Sequence, residues 1–369
     1  MDFPPVAIVG RACVFPGALS PEELWTLVAD GRDVVTSVPP GRWRVAPEDV
    51  RCAADDEDAS DRAWTDRGGY VRGFERVWDP EGFAVPARAL AGLDPLFHWV
   101  LHCARAALED AGDRRRGATD RPRVTAVLGN LGFPTAEMSR YAESRWLDPA
   151  LGEPAGAAPA DPRNRFMSSG PARLLERALG IAGGAFSLDC ACASSLYAIK
   201  YACDQLHDGR ADLVLAGAVN RADDLFLHVG FAALQALSRS GRSRPFHAEA
   251  DGLLPAEGAG MVALKRLADA RRDGDRVYGV LRGVGLSNDG RGRGFLAPCE
   301  DGQRRALTAA YARAGLRPAD VSLLECHATG TAVGDLAELR SAAAVFAGCR
   351  DVPMGSLKSN MGHLITAAG

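Results

Sequence analysis

Short apolar runs alternate with amphipathic segments along this chain, and no other feature constrains its fold as much. Val6–Val9, ended by Gly10, reads as a buried strand, as do Val124–Leu128, Phe186–Leu188, Leu213–Val219 and Gly260–Leu264. Ser20-Pro21-Glu22-Glu23 is a capping box with proline at the first helical position, opening a helix through about Ala29. After a polar connector, Asp269–Asp275, the pattern restarts. Val277–Val284, Val321–Glu325 and Met354–Leu357 then read as strands, with Gln303–Ala314 and Leu336–Phe346 as helices. The prediction is an α/β protein of two related halves sharing one core, an N-terminal half 1–268 and a C-terminal half 269–369. The first is enlarged by loop-like insertions at Ala53–Asp61 and Trp146–Arg165. An apolar segment begins as the chain stops at Ala367-Ala368-Gly369, which predicts a polypeptide cut from something longer.

Composition removes several classes of function. With 43 Lys+Arg against 47 Asp+Glu, a formal net charge of −4, the chain lacks the basic surface of a nucleic-acid binder. The longest clean apolar run, about Ala211–Val219, is far short of the ~20 residues that span a bilayer, and Met1-Asp2-Phe3-Pro4-Pro5 is no signal peptide. The 9 scattered cysteines read as reduced thiols of a cytoplasmic protein. No metal site is predicted: the close pair Cys190-Ala191-Cys192 has no CxxC or HExxH companion. Gly283-Val284-Gly285 misses the dinucleotide fingerprint, because Asn288 stands where glycine is required.

The most informative segment is Ser187-Leu188-Asp189-Cys190-Ala191-Cys192-Ala193-Ser194-Ser195-Leu196. A strand ends near Asp189 and a helix starts near Cys192, with Leu196, Ile199, Cys203 and Leu206 forming its apolar stripe and Gly209 closing it. Cys192 is therefore either a small buried residue or a nucleophile whose thiol pKa is depressed by a helix N-terminus. Two histidines follow strands in the second half, His327 in His327-Ala328-Thr329-Gly330-Thr331 and His363 in Lys358-Ser359-Asn360-Met361-Gly362-His363. Both project from the strand C-terminal edge that carries Cys192, where open α/β sheets bind ligands. His98, His102, His207, His228 and His247 read as structural. A hydrolase needs a single histidine beside its cysteine. Two imidazoles suit a reaction in which a carboxylate is lost and an enolate must be held. Lys358 is placed to orient His363, and Glu338, a turn beyond Asp335, is its expected counter-ion.

These elements resemble the β-ketoacyl synthase (ketosynthase) domains of type I polyketide and polyunsaturated-fatty-acid-type synthases, in the thiolase superfamily. Val6-Ala7-Ile8-Val9-Gly10 with Phe15-Pro16-Gly17 is similar to the family's opening strand and turn. Asp189–Leu196 is similar to its nucleophile elbow, and Asp251-Gly252 with Glu257-Gly258-Ala259-Gly260 to its central turn. His327–Thr331 resembles His-Gly-Thr-Gly-Thr, and Lys358–His363 resembles Lys-Ser-Asn-Ile-Gly-His. The resemblance implies one ketosynthase domain over 1–369 with the thiolase fold, two related βαβαβ halves in a layered αβαβα core, C-terminally truncated. It implies decarboxylative Claisen condensation with Cys192 as acyl acceptor and His327 and His363 assisting. Lys358 and Glu338 are implied as a supporting ion pair and Asp335 as the acid of a Gly-Asp turn. No cofactor is implied beyond the phosphopantetheine arm of an acyl carrier protein. The implied partners are that carrier, acyl and malonyl thioesters, a second copy of the chain, and neighbouring acyltransferase and carrier domains. A non-elongating, decarboxylase-only relative is the rival within the fold, and the presence of Cys192 with both histidines speaks against it. Ala328 replaces the usual glycine, so a positive φ there would be strained, Ala193 and Cys190 replace serine and threonine, and Leu96-Phe97-His98 departs from the usual Gln-Gln-Arg.

Overall fold

A computed structural model describes residues 3–56, 61–112, 123–146, 161–165, 168–291, 294 and 297–369. Parts of both expected surface insertions lie outside these residues. In chain order the elements are β1 (Val6–Val14), α1 (Pro21–Ala29), β2 (Thr36–Ser37), α2 (Pro47–Val50), β3 (Arg67–Gly68), α3 (Pro95–Asp110), β4 (Val124–Asn130), α4 (Ala136–Trp146), α5 (Gly170–Leu179), β5 (Ala185–Leu188), α6 (Ser194–His207), β6 (Leu213–Asn220), α7 (Asp224–Ala233), β7 (Gly258–Arg266) and α8 (Leu267–Asp273). Then follow β8 (Gly279–Leu281), α9 (Glu300–Ala314), β9 (Leu324–Glu325), α10 (Ala332–Val345), β10 (Met354–Gly355) and α11 (Lys358–Met361).

One sheet of six strands, in the order β5-β4-β6-β7-β1-β8, organises the molecule. β5, β4 and β6 run parallel, whereas β7, β1 and β8 pair antiparallel with their neighbours. β4 and β6 are buried along their whole length, which is why both read as unbroken apolar runs. One face is covered by α3 and α5, whose Leu96, Trp99, Val100, Leu101 and Leu175 pack against Val9, Leu128 and Leu215. On the other face Ala198, Ala202, Cys203 and Leu206 of α6 pack against Val127, Val214 and Leu264.

Several expectations need correction. β1 does not end at Gly10 but continues to Val14 through a bulge between Ile8 and Gly10. A Cβ on Gly10 would lie 2.1 Å from the Ala107 carbonyl oxygen, so this glycine marks the close approach of α3 rather than a strand end. The strand expected at Val277–Val284 to open the second half contracts to β8 and hydrogen-bonds to Val6–Ile8, within the first half's sheet. The second half's own parallel sheet is the two-residue pair β9–β10, attended by α9 and α10 packed on each other. Leu196 is exposed, and the buried stripe of α6 is built from Ala198, Ala202, Cys203 and Leu206. The capping box closes one residue earlier than read: Ser20 Oγ accepts from Glu23 N–H, but the Glu23 carboxylate accepts from Leu19 N–H. Glu257 is buried with Arg42 and Arg221 against it, and Gly258–Gly260 begin β7 instead of forming a turn. The final residues form a 3-10 turn, Ile365–Ala367, tied to β6 by Thr366 Oγ1 donating to the Val219 carbonyl at 2.6 Å.

Candidate active site

The turn between β5 and α6 carries Cys192 in a single 3-10 turn, Ala191–Ala193. Its shape is imposed from two sides. Asp189 accepts Ala191 N–H at 2.9 Å and Gly132 N–H at 2.8 Å, tying the turn to the end of β4. The buried Ser194 hydroxyl donates to the Ala191 carbonyl at 2.7 Å and accepts Cys190 N–H at 2.9 Å. Ala191 adopts φ +50°, a conformation unusual for a residue with a Cβ. Gly129 lets α6 come this close, since a Cβ there would sit 2.8 Å from Ser194 Cβ.

His327 follows β9. Glu338, on α10, accepts the N–H groups of both His327 and Ala328 at 2.7 Å. Asp335 ties the same turn down by accepting Gly330 N–H at 3.1 Å and Phe246 N–H at 2.7 Å. Ala328 sits at φ +22°, the strained state the alanine-for-glycine change foreshadows. His363 is buried, its N–H donating to Leu254 O at 2.7 Å and its carbonyl accepting from Ala256 N–H at 2.8 Å.

These segments meet. His363 Nε2 lies 3.0 Å from Cys192 Sγ, the His327 and His363 ring centroids are 5.3 Å apart, and donor atoms of all three side chains fall within 4.8 Å of one another. His363 Nδ1 accepts the Ile365 N–H at 3.2 Å, so the neutral ring carries its proton on Nε2 and points it at the sulfur. Ile365 itself is held at φ +50°.

The electrostatics correct one expectation. Burial pushes the Cys192 thiol up to about 11, opposed by the nearby Lys358 ammonium and by a backbone N–H. A lone 3-10 turn presents too little of a helix N-terminus to reverse that, so the sulfur rests as a thiol. Both imidazoles are kept neutral. Burial lowers His327 to about 4 and holds His363 well below its ordinary value, and Lys358 pushes both the same way. His327 is an exposed residue, in contrast to the buried His363. Burial also lowers Lys358, against Glu325, Cys192 and Glu338.

The Lys358–Glu338 pair is a second correction. No ion pair joins them, because both Glu338 oxygens are turned to the His327 and Ala328 amides. Glu325 instead caps the segment that carries Lys358, accepting Leu357 N–H at 2.8 Å. The other histidines lie apart from this cluster: His98 bonds Leu90 O, His207 bonds Pro4 O, and His228 bridges Asp224 O and Arg67 O. Ile365 and Phe246 work through backbone N–H groups, which nearly every residue type carries, so no sequence signal singles them out.

A strand-to-helix cysteine facing two neutral imidazoles on a thiolase-type α/β frame defines a condensing, acyl-transferring class of enzyme. Residues 4–270 match the profile "Beta-ketoacyl synthase, N-terminal domain" and residues 278–369 the profile "Beta-ketoacyl synthase, C-terminal domain". The chain belongs to the β-ketoacyl synthase family. It is 37% identical over 376 residues to the pikromycin polyketide synthase component PikAII of Streptomyces venezuelae, covering 100% of this chain and 10% of that protein. It is 36% identical over 366 residues to the mycocerosic acid synthase-like polyketide synthase of Mycolicibacterium smegmatis, covering 99% of this chain and 16% of that one. This chain thus spans less than a fifth of the length of these curated relatives. Among solved structures, the PfaC keto synthase–chain length factor superposes with a TM-score of 0.92 at 37% identity, covering 100% of this chain and 40% of that one. The Streptomyces albus JA3453 oxazolomycin ketosynthase domain OzmH KS7 gives 0.85 at 32%, covering 99% and 62%.

Proposed function

We propose that this chain is a ketosynthase domain, residues 1–268 and 269–369 forming its two halves, that condenses an acyl group held on Cys192 with a malonyl-type extender. The observation that carries the reading is His363 Nε2–H aimed at Cys192 Sγ from 3.0 Å, with the neutral His327 ring beside it. Cys192 attacks an acyl thioester, the C–S bond to the incoming carrier breaks, the departing thiolate takes the S–H proton and leaves as a thiol, and a new acyl thioester forms on the enzyme. The extender thioester then loses CO2, and its electron pair becomes an enolate. His363 Nε2–H and the His327 imidazole donate to that oxygen without changing charge. The enolate carbon attacks the Cys192 acyl carbonyl, a C–C bond forms, the C–S bond breaks, and the sulfur leaves as a thiolate in reach of the Nε2–H donor, to be reprotonated from solvent before the next round. Lys358 stabilises that thiolate, as its effect on Cys192 indicates. Lys358, Glu338 and Asp335 are positioning residues in this scheme, the acids acting on the backbone of the His327 turn.

The thioesters would arrive on the phosphopantetheine arm of an acyl carrier protein, in polyketide or fatty-acid biosynthesis in the cytoplasm. No helix among the described residues is long and apolar enough to cross a membrane. A homodimer is supported by β5, an edge strand whose exposed Phe186 meets the exposed Tyr201 of α6 edge to face. Cys192→Ala should abolish covalent labelling by an acyl thioester, read by intact-protein mass spectrometry. Acylation persisting at wild-type level would overturn the assignment.

A further inference from the structure

Cys192, His327 and His363 present a thiol and two imidazoles with donor atoms within 4.8 Å of one another, the donor set of a zinc centre with an open fourth position. Three distant segments assemble it, so no short spacing motif announces it. We propose that this cluster is built to refuse zinc, and that the Ile365 N–H is the group that refuses it.

A metal-bound neutral imidazole gives one nitrogen to the metal and keeps its proton on the other. Ligating histidines therefore donate that second N–H to a carboxylate, a carbonyl or water. In His363 the nitrogen facing the sulfur is Nε2, so a metal shared with Cys192 would occupy it. The proton must then sit on Nδ1, where it meets the Ile365 N–H at 3.2 Å, donor against donor. Neither party can step aside cheaply. The His363 backbone is pinned by Leu254 O and Ala256 N, and the next residues are held on β6 through Thr366. Ile365 is buried and fixed at φ +50°. Turning its N–H away would leave a buried donor unpaired. The Lys358 ammonium, near enough to act on all three cluster residues, repels a dication as well. The same N–H that aims the Nε2 proton at the sulfur thus keeps a thiophilic metal off it. Refusal of zinc does not depend on which thioesters Cys192 accepts.

The test titrates ZnCl2 into the full chain against a chromophoric zinc chelator. It compares wild type with a chain whose Ile365 amide is replaced by an ester, through the α-hydroxy analogue of isoleucine. The ester offers an oxygen where the N–H was, so zinc affinity should rise ~10- to 100-fold, the scale of second-shell effects. Adding Cys192→Ala should erase the gain. Should the ester chain fail to fold, the tautomer of His363 in wild type decides. The His363 Nδ1 nitrogen-15 shift in wild type should be that of an unprotonated nitrogen. If wild type binds zinc through Cys192 as tightly as the ester chain does, or carries its His363 proton on Nδ1, the proposal is wrong.

Discussion

The two sides of the site are held by different physics. The cysteine side stands on the six-stranded sheet, with α6 clamped by fully buried Ala198, Ala202, Cys203 and Leu206. On the histidine side, β9 and β10 pair over two residues each, and Leu323, Val333, Leu336 and Leu339 are exposed. What fixes His327 is polar: Glu338 on two consecutive amides and Asp335 on two more. Nonpolar burial places the helix behind Cys192, and directed hydrogen bonds place the turn that carries His327. A catalytic geometry needs both, because packing sets where an element lies while hydrogen bonds set which way a backbone turns.

Truncation of side chains should break this contrast most visibly. Leu206→Ala removes a fully buried side chain beneath α6 and should cost about 2–5 kcal/mol of stability in urea unfolding. Leu336→Ala, on half-exposed α10, should cost no more than about 0.5 kcal/mol. Equal losses would mean that the second half is anchored by packing after all.

Glu338→Gln is the complementary cut. The amide keeps one acceptor oxygen but turns an NH2 toward a backbone N–H that the carboxylate satisfies at 2.7 Å. A loss of about 1–3 kcal/mol is expected, with condensation falling and Cys192 acylation largely kept. Acylation falling in step with condensation would show the two sides to be one unit.

Legibility in the sequence divides along the same line. The strands beneath Cys192 are readable because a buried strand must be apolar throughout, as β4 and β6 are. Cys192 and His327 are readable because each stands in a turn just after a strand, whereas His363 follows α11 and is readable only from its Lys358–His363 segment. What escapes is the backbone. Gly10 reads as a strand end because a glycine under a helix and a glycine in a turn are the same letter. Charge alone matches Glu338 to Lys358, whereas the fold gives it two amides. A helix terminus predicts an acidic Cys192, and burial outweighs a single turn. Residue types disclose chemistry, but hydrogen-bond partners depend on distances that exist only after folding.

Acid should act on the histidine side. Both imidazoles have folded pKa values below the unfolded value near 6.5, His327 at about 4 and His363 well below its ordinary value. Below pH 6.5 the unfolded chain takes up protons that the folded one refuses, so their contribution to stability is complete above pH 6.5 and is lost as pH falls toward 4. The melting temperature should therefore decline over that window. A His327→Asn/His363→Asn chain should show a flatter decline, while Leu206→Ala should shift the curve without changing its slope. An unchanged slope in the double histidine variant would place the acid sensitivity elsewhere.

The smallest expected effect is also the most pointed. Ala328 is buried at φ +22° with its N–H on Glu338, and an alanine there bears a steric cost that glycine does not. Ala328→Gly relieves that strain, of order 1–2 kcal/mol, and opposes it with about 0.5–1 kcal/mol of extra backbone entropy in the unfolded chain. The net change should be a stabilisation of at most about 1 kcal/mol, a shift of the unfolding midpoint with no change in its denaturant slope. In a Glu338→Gln background the gain should shrink, because the hydrogen bond that holds the strained residue in place is weakened. A gain that is the same in both backgrounds would mean that the strain at Ala328 is set by packing, and the contrast between the two sides would lose its clearest example.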